Sequence, residues 1–137
     1  ECRVDEERPL VAAVIYNRLK AGMPLDLDST LQYALGKYGE RILNEDKETD
    51  SPYNTYRRKG LPPGPISNPG VACLRAALQP AEEDYLFFVS NADGKTHTFS
   101  TTMNEHAEAV QRFRREIAVQ RRELRDRETR GEENDAQ

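Results

Sequence analysis

Apolar residues recur at helical spacing in two long stretches of this chain and give way to strand-like runs between them. From residue 5 to 21, Leu10, Val11, Val14, Ile15 and Leu19 share one helical stripe. Asp5 can cap that helix, Glu6 and Glu7 suit its positive end, Pro9 is tolerable near the first turn, and Gly22 stops it. Ser29 is the expected cap of a short second helix through Leu35, ended by Gly36. Residues 40–52 are polar without a period and read as a loop with at most a helical turn. Asn68 before Pro69 marks the start of a third helix, which runs to Leu78 and breaks before Pro80. YLFFVSN, residues 85–91, reads as an apolar strand. Asp93-Gly94 is a hairpin dipeptide, and THTFST, residues 96–101, returns as a strand with His97, Phe99 and Thr101 on one face. From about Met103 a last helix carries His106, Val110, Phe113, Ile117 and Leu124 on its apolar side. The final residues, 131–137, are expected to fray or be disordered.

This order predicts an α+β domain: helices packed around a small antiparallel β-sheet, with a long C-terminal helix. A length of 137 residues suffices for one domain with a modest core. The net charge of −4, from 20 basic and 24 acidic side chains, argues against non-specific nucleic-acid binding, which needs a basic excess. No apolar run reaches the length of a membrane span, and no signal peptide is visible. The chain opens on Glu1 rather than Met, so it reads as a piece of a longer protein. Cys2 and Cys73 are too few for a disulfide framework. Two partly buried thiols are the favoured reading, with a Cys2–Cys73 bridge as the alternative.

Chemistry has few anchors in short motifs. The nucleophile elbow, the phosphate loop, the zinc helix and the paired-cysteine motif are all absent. His97 and His106 stand too far apart to form a metal motif. His97 reads as a half-exposed strand residue donating to a carbonyl, and His106 as part of the apolar side of the last helix. The segment YNTYRRKGLPPGPISNPG, residues 53–70, differs from its charged surroundings. Asn and Tyr side chains offer directed hydrogen bonds beside flat apolar faces, which sugar rings require, and Pro and Gly hold such a loop in place. An ordered structural loop whose tyrosines cap a core edge fits the same composition equally well.

That segment resembles the signature loop of the YceG-like, or MltG, endolytic murein transglycosylases. ERPLVAAVIYNRLKAGMPLDLDST is similar to the family's helix and following loop. LRAALQPAEEDYLFFVSNADGKTHTFSTTMNEHAEAV is similar to its closing helix, hairpin and last helix. The resemblance implies a catalytic domain over residues 1–130 that lacks its N-terminal part. It also implies an upstream transmembrane helix as the only link to a membrane, with the catalytic domain on the extracytoplasmic side.

The family's catalytic glutamate precedes the ERPLVAAV motif, and counting back places it on Glu1. The implied reaction cleaves the MurNAc–GlcNAc bond of peptidoglycan strands and leaves 1,6-anhydro ends. Tyr53, Asn54 and Tyr56 are then expected in the cleft wall. Ser67 and Asn68 are expected to hold the loop or reach substrate. Asp28 is expected to bind substrate or, equally, to cap the helix after it. His97 and Thr101 are expected to line the same cleft. Ser29 stands where the family often has Pro. No cofactor and no metal are expected; the implied partners are glycan strands and cell-wall synthases. Two other readings stand beside this one. The first is a non-catalytic glycan-binding or scaffold module. The second is aminodeoxychorismate lyase, a label some family members have carried, which needs pyridoxal phosphate on a lysine. None of Lys20, Lys37, Lys47, Lys59 and Lys95 sits in an evident phosphate-binding loop.

Overall fold

The computed structural model describes residues 1–135. It is α+β: α1 (Arg8–Ala21), α2 (Asp28–Leu35), α3 (Val71–Leu78), β1 (Phe87–Ser90), β2 (His97–Ser100) and a long α4 (Met103–Asp135). Single 3-10 turns occupy Asp5–Glu7 and Glu45–Glu48, so the polar stretch 40–52 carries its one helical turn.

Several boundaries differ from the sequence expectation for local reasons. Residues 5–7 form the 3-10 turn, and Asp5 caps nothing: its carboxylate accepts from Arg8 Nε at 2.8 Å. Helix α1 starts at Arg8 with Pro9 in its first turn, where no intrahelical N–H is lost. Its end follows the expected logic, because Gly22 adopts φ 67°, a left-handed conformation open to glycine at no steric cost. Gly36 ends α2 in the same way. Asp28 rather than Ser29 is the first residue of α2, and Leu27 stands at its cap position without a side-chain bond. Helix α3 begins at Val71, not at Pro69, with Gly70 at its cap. Helix α4 continues to Asp135, past Arg130 where the composition predicts fraying; residues 136 and 137 lie outside the described residues.

The sheet is a single antiparallel hairpin, with Phe87 opposite Ser100 and Ser90 opposite His97. A two-stranded hairpin is marginal alone. Here α4 packs against both strands and α1 against β1, while α3 lies along α1. The core gathers Val11, Ala13 and Val14 of α1, Leu25, Leu31, Ile42, Ala76, Phe87 and Ala109. Along α4 the packed side reaches Ile117; Leu124, expected on the same stripe, is 57% exposed because the hairpin has ended beneath it. Cys2 and Cys73 are both free thiols, and Cys73 Sγ accepts from Arg8 at 3.0 Å. Among the described residues no helix is long and apolar enough to cross a membrane.

Candidate functional site

Thr55 joins two segments that are distant in sequence. Its Oγ1 accepts from the Leu27 N–H at 2.9 Å and lies 2.9 Å from Thr30 Oγ1, while its carbonyl accepts from the Asp26 N–H at 3.3 Å. Both threonines are buried, so these bonds exclude water and fix the loop 25–30 against the loop 53–56. The joint brings Tyr56 onto Asp28: the phenol donates to Asp28 Oδ1. Burial, that hydrogen bond and the Asp28 charge push the Tyr56 phenol well above its ordinary range. Lys47 covers the other side of the Tyr56 ring, its Nζ 4.9 Å from the centroid.

Leu27, Asp28 and Tyr56 form one wall of a groove of about 410 Å³ between the 25–28 loop and the hairpin. Glu1 lies at its edge, where Oε1 accepts from the Ser29 N–H at 3.3 Å at the start of α2. Its charge is close enough to contribute to the upward shift of Tyr56. Phe87, Phe88 and Val89 give the groove an apolar side, and His97 and His106 stand on it. His106 stacks on Phe87 with centroids 5.0 Å apart, and its buried Nδ1 has no hydrogen-bond partner among the described residues. Burial lowers its pKa, with the Arg18 charge adding to the effect, so this ring is neutral at physiological pH.

The groove floor rests on Arg18 and Asp26, neither of which the sequence singled out. Arg18 is 9% exposed. Its Nε donates to Leu86 O at 2.6 Å, and Nη1 donates to Pro24 O at 3.0 Å and Leu25 O at 3.2 Å. Its guanidinium carbon lies 5.2 Å from the centroid of the Phe87 ring. Desolvation lowers the Arg18 pKa, against the pull of Asp26, whose carboxylate stands 3.7 Å away. Asp26 has φ 51°, the one non-glycine residue with positive φ among the described residues, and burial raises its carboxyl pKa against the opposing Arg18 charge. A signal for Arg18 existed: with Val11 and Val14 it lies on the apolar stripe of α1, where a charge has to be paired. Asp26 gave none, since left-handed backbone at an aspartate is not written in local sequence.

Of the residues expected at the site, the groove brings together Glu1, Asp28, Tyr56 and His97. His97 does not donate its ring hydrogen to a carbonyl; its Nδ1 lies 3.1 Å from Glu7 Oε1. Tyr53 and Asn54 point elsewhere. Tyr53 packs at 4.9 Å on Tyr33, and its hydroxyl lies 3.3 Å from where a Cβ at Gly64 would stand, so it props the Gly-Pro turns. Asn54 is fully buried. Its Nδ2 donates to Lys47 O and Thr49 O at 2.9 and 2.8 Å, and its Oδ1 accepts from the Tyr56 N–H at 3.0 Å. Every polar atom of that side chain is spent inside the loop, so Asn54 positions Tyr56 rather than facing the cleft. Ser67, Asn68 and Thr101 are exposed and lie outside the groove lining. Among the described residues no group of three or more His, Cys, Asp or Glu side chains is arranged to hold a metal ion.

An endolytic murein transglycosylase of Bacillus subtilis is 47% identical over 107 residues, covering 78% of this chain and 29% of that protein. One from Streptococcus pneumoniae is 37% identical over 107 residues, covering 74% of this chain and 19% of that protein. The crystal structure of a YceG-like protein from Listeria monocytogenes superposes with a TM-score of 0.70 at 45% identity, over 79% of this chain and 34% of that one. The chain thus spans about a third or less of the length of each of these proteins. The YceG-like family model matches residues 1–112, and the chain belongs to that family.

Proposed function

We propose that the protein containing this chain is an endolytic murein transglycosylase, and that the groove binds a peptidoglycan glycan strand across its scissile MurNAc–GlcNAc bond. The observation that carries this reading is the Glu1 carboxylate at the edge of a groove that also holds the Asp28–Tyr56 pair and an aromatic wall. Aromatic faces next to directed polar groups suit sugar rings, which are apolar above and below and hydroxylated at their edges. The names of the relatives from Bacillus subtilis and Streptococcus pneumoniae support the same substrate.

In this reading protonated Glu1 gives its hydrogen to the glycosidic oxygen as the bond to C1 breaks. The C6 hydroxyl of the same MurNAc attacks C1 and closes a 1,6-anhydro ring. The hydrogen of that hydroxyl finally resets Glu1. Glycosidases that use water ordinarily need two carboxylates. An internal nucleophile removes the need for a carboxylate that activates water, and its attack gains from proximity. Tyr56 and Asp28 orient sugar hydroxyls on the facing wall. The catalytic unit would continue N-terminal to Glu1, with membrane attachment and contacts to wall synthases made by the longer parent.

Mass spectrometry of strands incubated with the intact parent tests this. Products with 1,6-anhydro ends, lost in Glu1→Gln, are expected. Products with ordinary reducing ends would make the protein a hydrolase, and binding without cleavage would make it a glycan-binding module.

A further inference from the structure

Glu7 lies 90 positions from His97, yet its carboxylate clamps that residue twice: the oxygens accept the His97 backbone N–H at 3.0 and 3.1 Å, and Oε1 accepts from ring Nδ1 at 3.1 Å. Both side chains are nearly enclosed, at 10% exposure for His97 and 13% for Glu7. An ionised carboxylate can only accept, so a neutral His97 ring carries its hydrogen on Nδ1. Nε2 then presents a lone pair. No described residue hydrogen-bonds Nε2. Phe88 meets the ring edge-on at 5.4 Å and holds its plane. His97 lines the groove, and it also lines the polar recess that continues from it beside Arg3 and Lys95; Glu1 lines both. Two of these contacts fasten the strand backbone; the third, to ring Nδ1, is accounted for neither by the packing of the hairpin nor by the proposed use of Glu1. A carboxylate on one ring nitrogen with the other open to a substrate groove is the arrangement of a general base.

We propose that His97 is the base of the strand-cleaving reaction and that Glu7 is its positioning residue. The inference rests on the transglycosylase reading and divides its proton transfers between two groups. His97 Nε2 takes the hydrogen of the C6 hydroxyl as that oxygen forms its bond to C1. The C1–O bond to the next sugar breaks, and the departing oxygen takes the hydrogen held by Glu1. The resulting imidazolium lies against Glu7, whose negative charge stabilises it. One hydrogen then moves from Nε2 to Glu1, directly or through water, and both groups return to their starting states.

The experiment uses the full-length parent. Nitrogen-15 NMR of His97 should show the Nδ1–H tautomer in the wild type. In Glu7→Gln the amide can donate to Nδ1, and the Nε2–H form should appear. Strand cleavage by Glu7→Gln and by His97→Gln should fall about 100-fold in kcat with KM unchanged. Thermal melting of both variants is measured alongside, because a purely structural pair would lower the melting temperature and leave kcat per folded molecule intact. That result would overturn the proposal. So would the Nε2–H tautomer in the wild type, or a tautomer flip in Glu7→Gln that leaves kcat unchanged. A wild type that cleaves no strand would overturn the transglycosylase reading and this inference together. An active wild type matched by both variants would overturn only the inference.

Discussion

Tyr56 donates its phenolic hydrogen to Asp28, tying the loop after the 3-10 turn Glu45–Glu48 to the first residue of α2. The pair sits at the groove surface, so its effect falls on ligand positioning more than on folding. Tyr56→Phe is expected to lose about 1.5 kcal/mol of positioning, close to tenfold in strand cleavage by the parent, with a much smaller loss of unfolding free energy. Cleavage rates beside urea unfolding check this. An equal loss in both would make the pair a structural brace.

The same phenol gives a pH prediction. Its folded pKa lies above the ordinary 10.0, chiefly through burial and then through the Asp28 hydrogen bond. A raised pKa favours the neutral form in the folded state. The stabilisation is therefore complete below pH 10.0 and is lost as pH rises toward the folded value. An ultraviolet tyrosine titration should show one phenol resisting ionisation in the folded chain, absent in Tyr56→Phe.

Asn54→Ala should act on stability. It strips hydrogen bonds from two carbonyls and one N–H in a fully buried turn, at a cost of roughly 2–4 kcal/mol. Urea denaturation measures the cost. Activity per folded molecule should fall much less than the melting temperature suggests; a catalytic loss without destabilisation would place Asn54 at the substrate after all.

Arg18→Met keeps the length of the stem but leaves three carbonyls without their donor and Asp26 without its partner. The carbonyls dominate, because Asp26 is 44% exposed and such pairs contribute little. A loss of roughly 2–4 kcal/mol is expected. Hydrogen exchange should localise it to residues 24–27 and 86, next to the groove floor.

Asp93 makes the hairpin sensitive to acid. Its carboxylate accepts from the Thr96 hydroxyl and from the N–H groups of Thr96 and Lys95, which hold its pKa at about 2. The depressed value means that the turn is stabilised above the ordinary 3.8 and loses this support as pH falls toward 2. Amide shifts of Lys95 and Thr96 should move through that window in the wild type and stay flat in Asp93→Asn.

Local sequence was sufficient for the elements themselves. The apolar period of residues 10–19, the glycines after α1 and α2, and Asp93-Gly94 each act within a few residues, so helix, stop and hairpin were readable from a short window. The family motifs likewise pointed to Glu1, Asp28, Tyr56 and His97, which the groove does bring together. The facing of YNTY was not readable. Asn and Tyr supply the same donors and rings whether they meet a sugar or the chain's own carbonyls, and only the turn of the backbone sends Tyr56 outward and Asn54 in.

The sequence alone therefore determined which segments are helix, hairpin and loop, and which family they belong to. The tertiary structure decided the partners: Thr55 with Leu27, Arg18 with Leu86, Glu7 with His97, at separations of 28, 68 and 90 residues. Backbone propensity is set by near neighbours. A buried hydrogen bond or ion pair is set by which surfaces meet when the whole core closes, and no stretch of neighbouring residues contains that information.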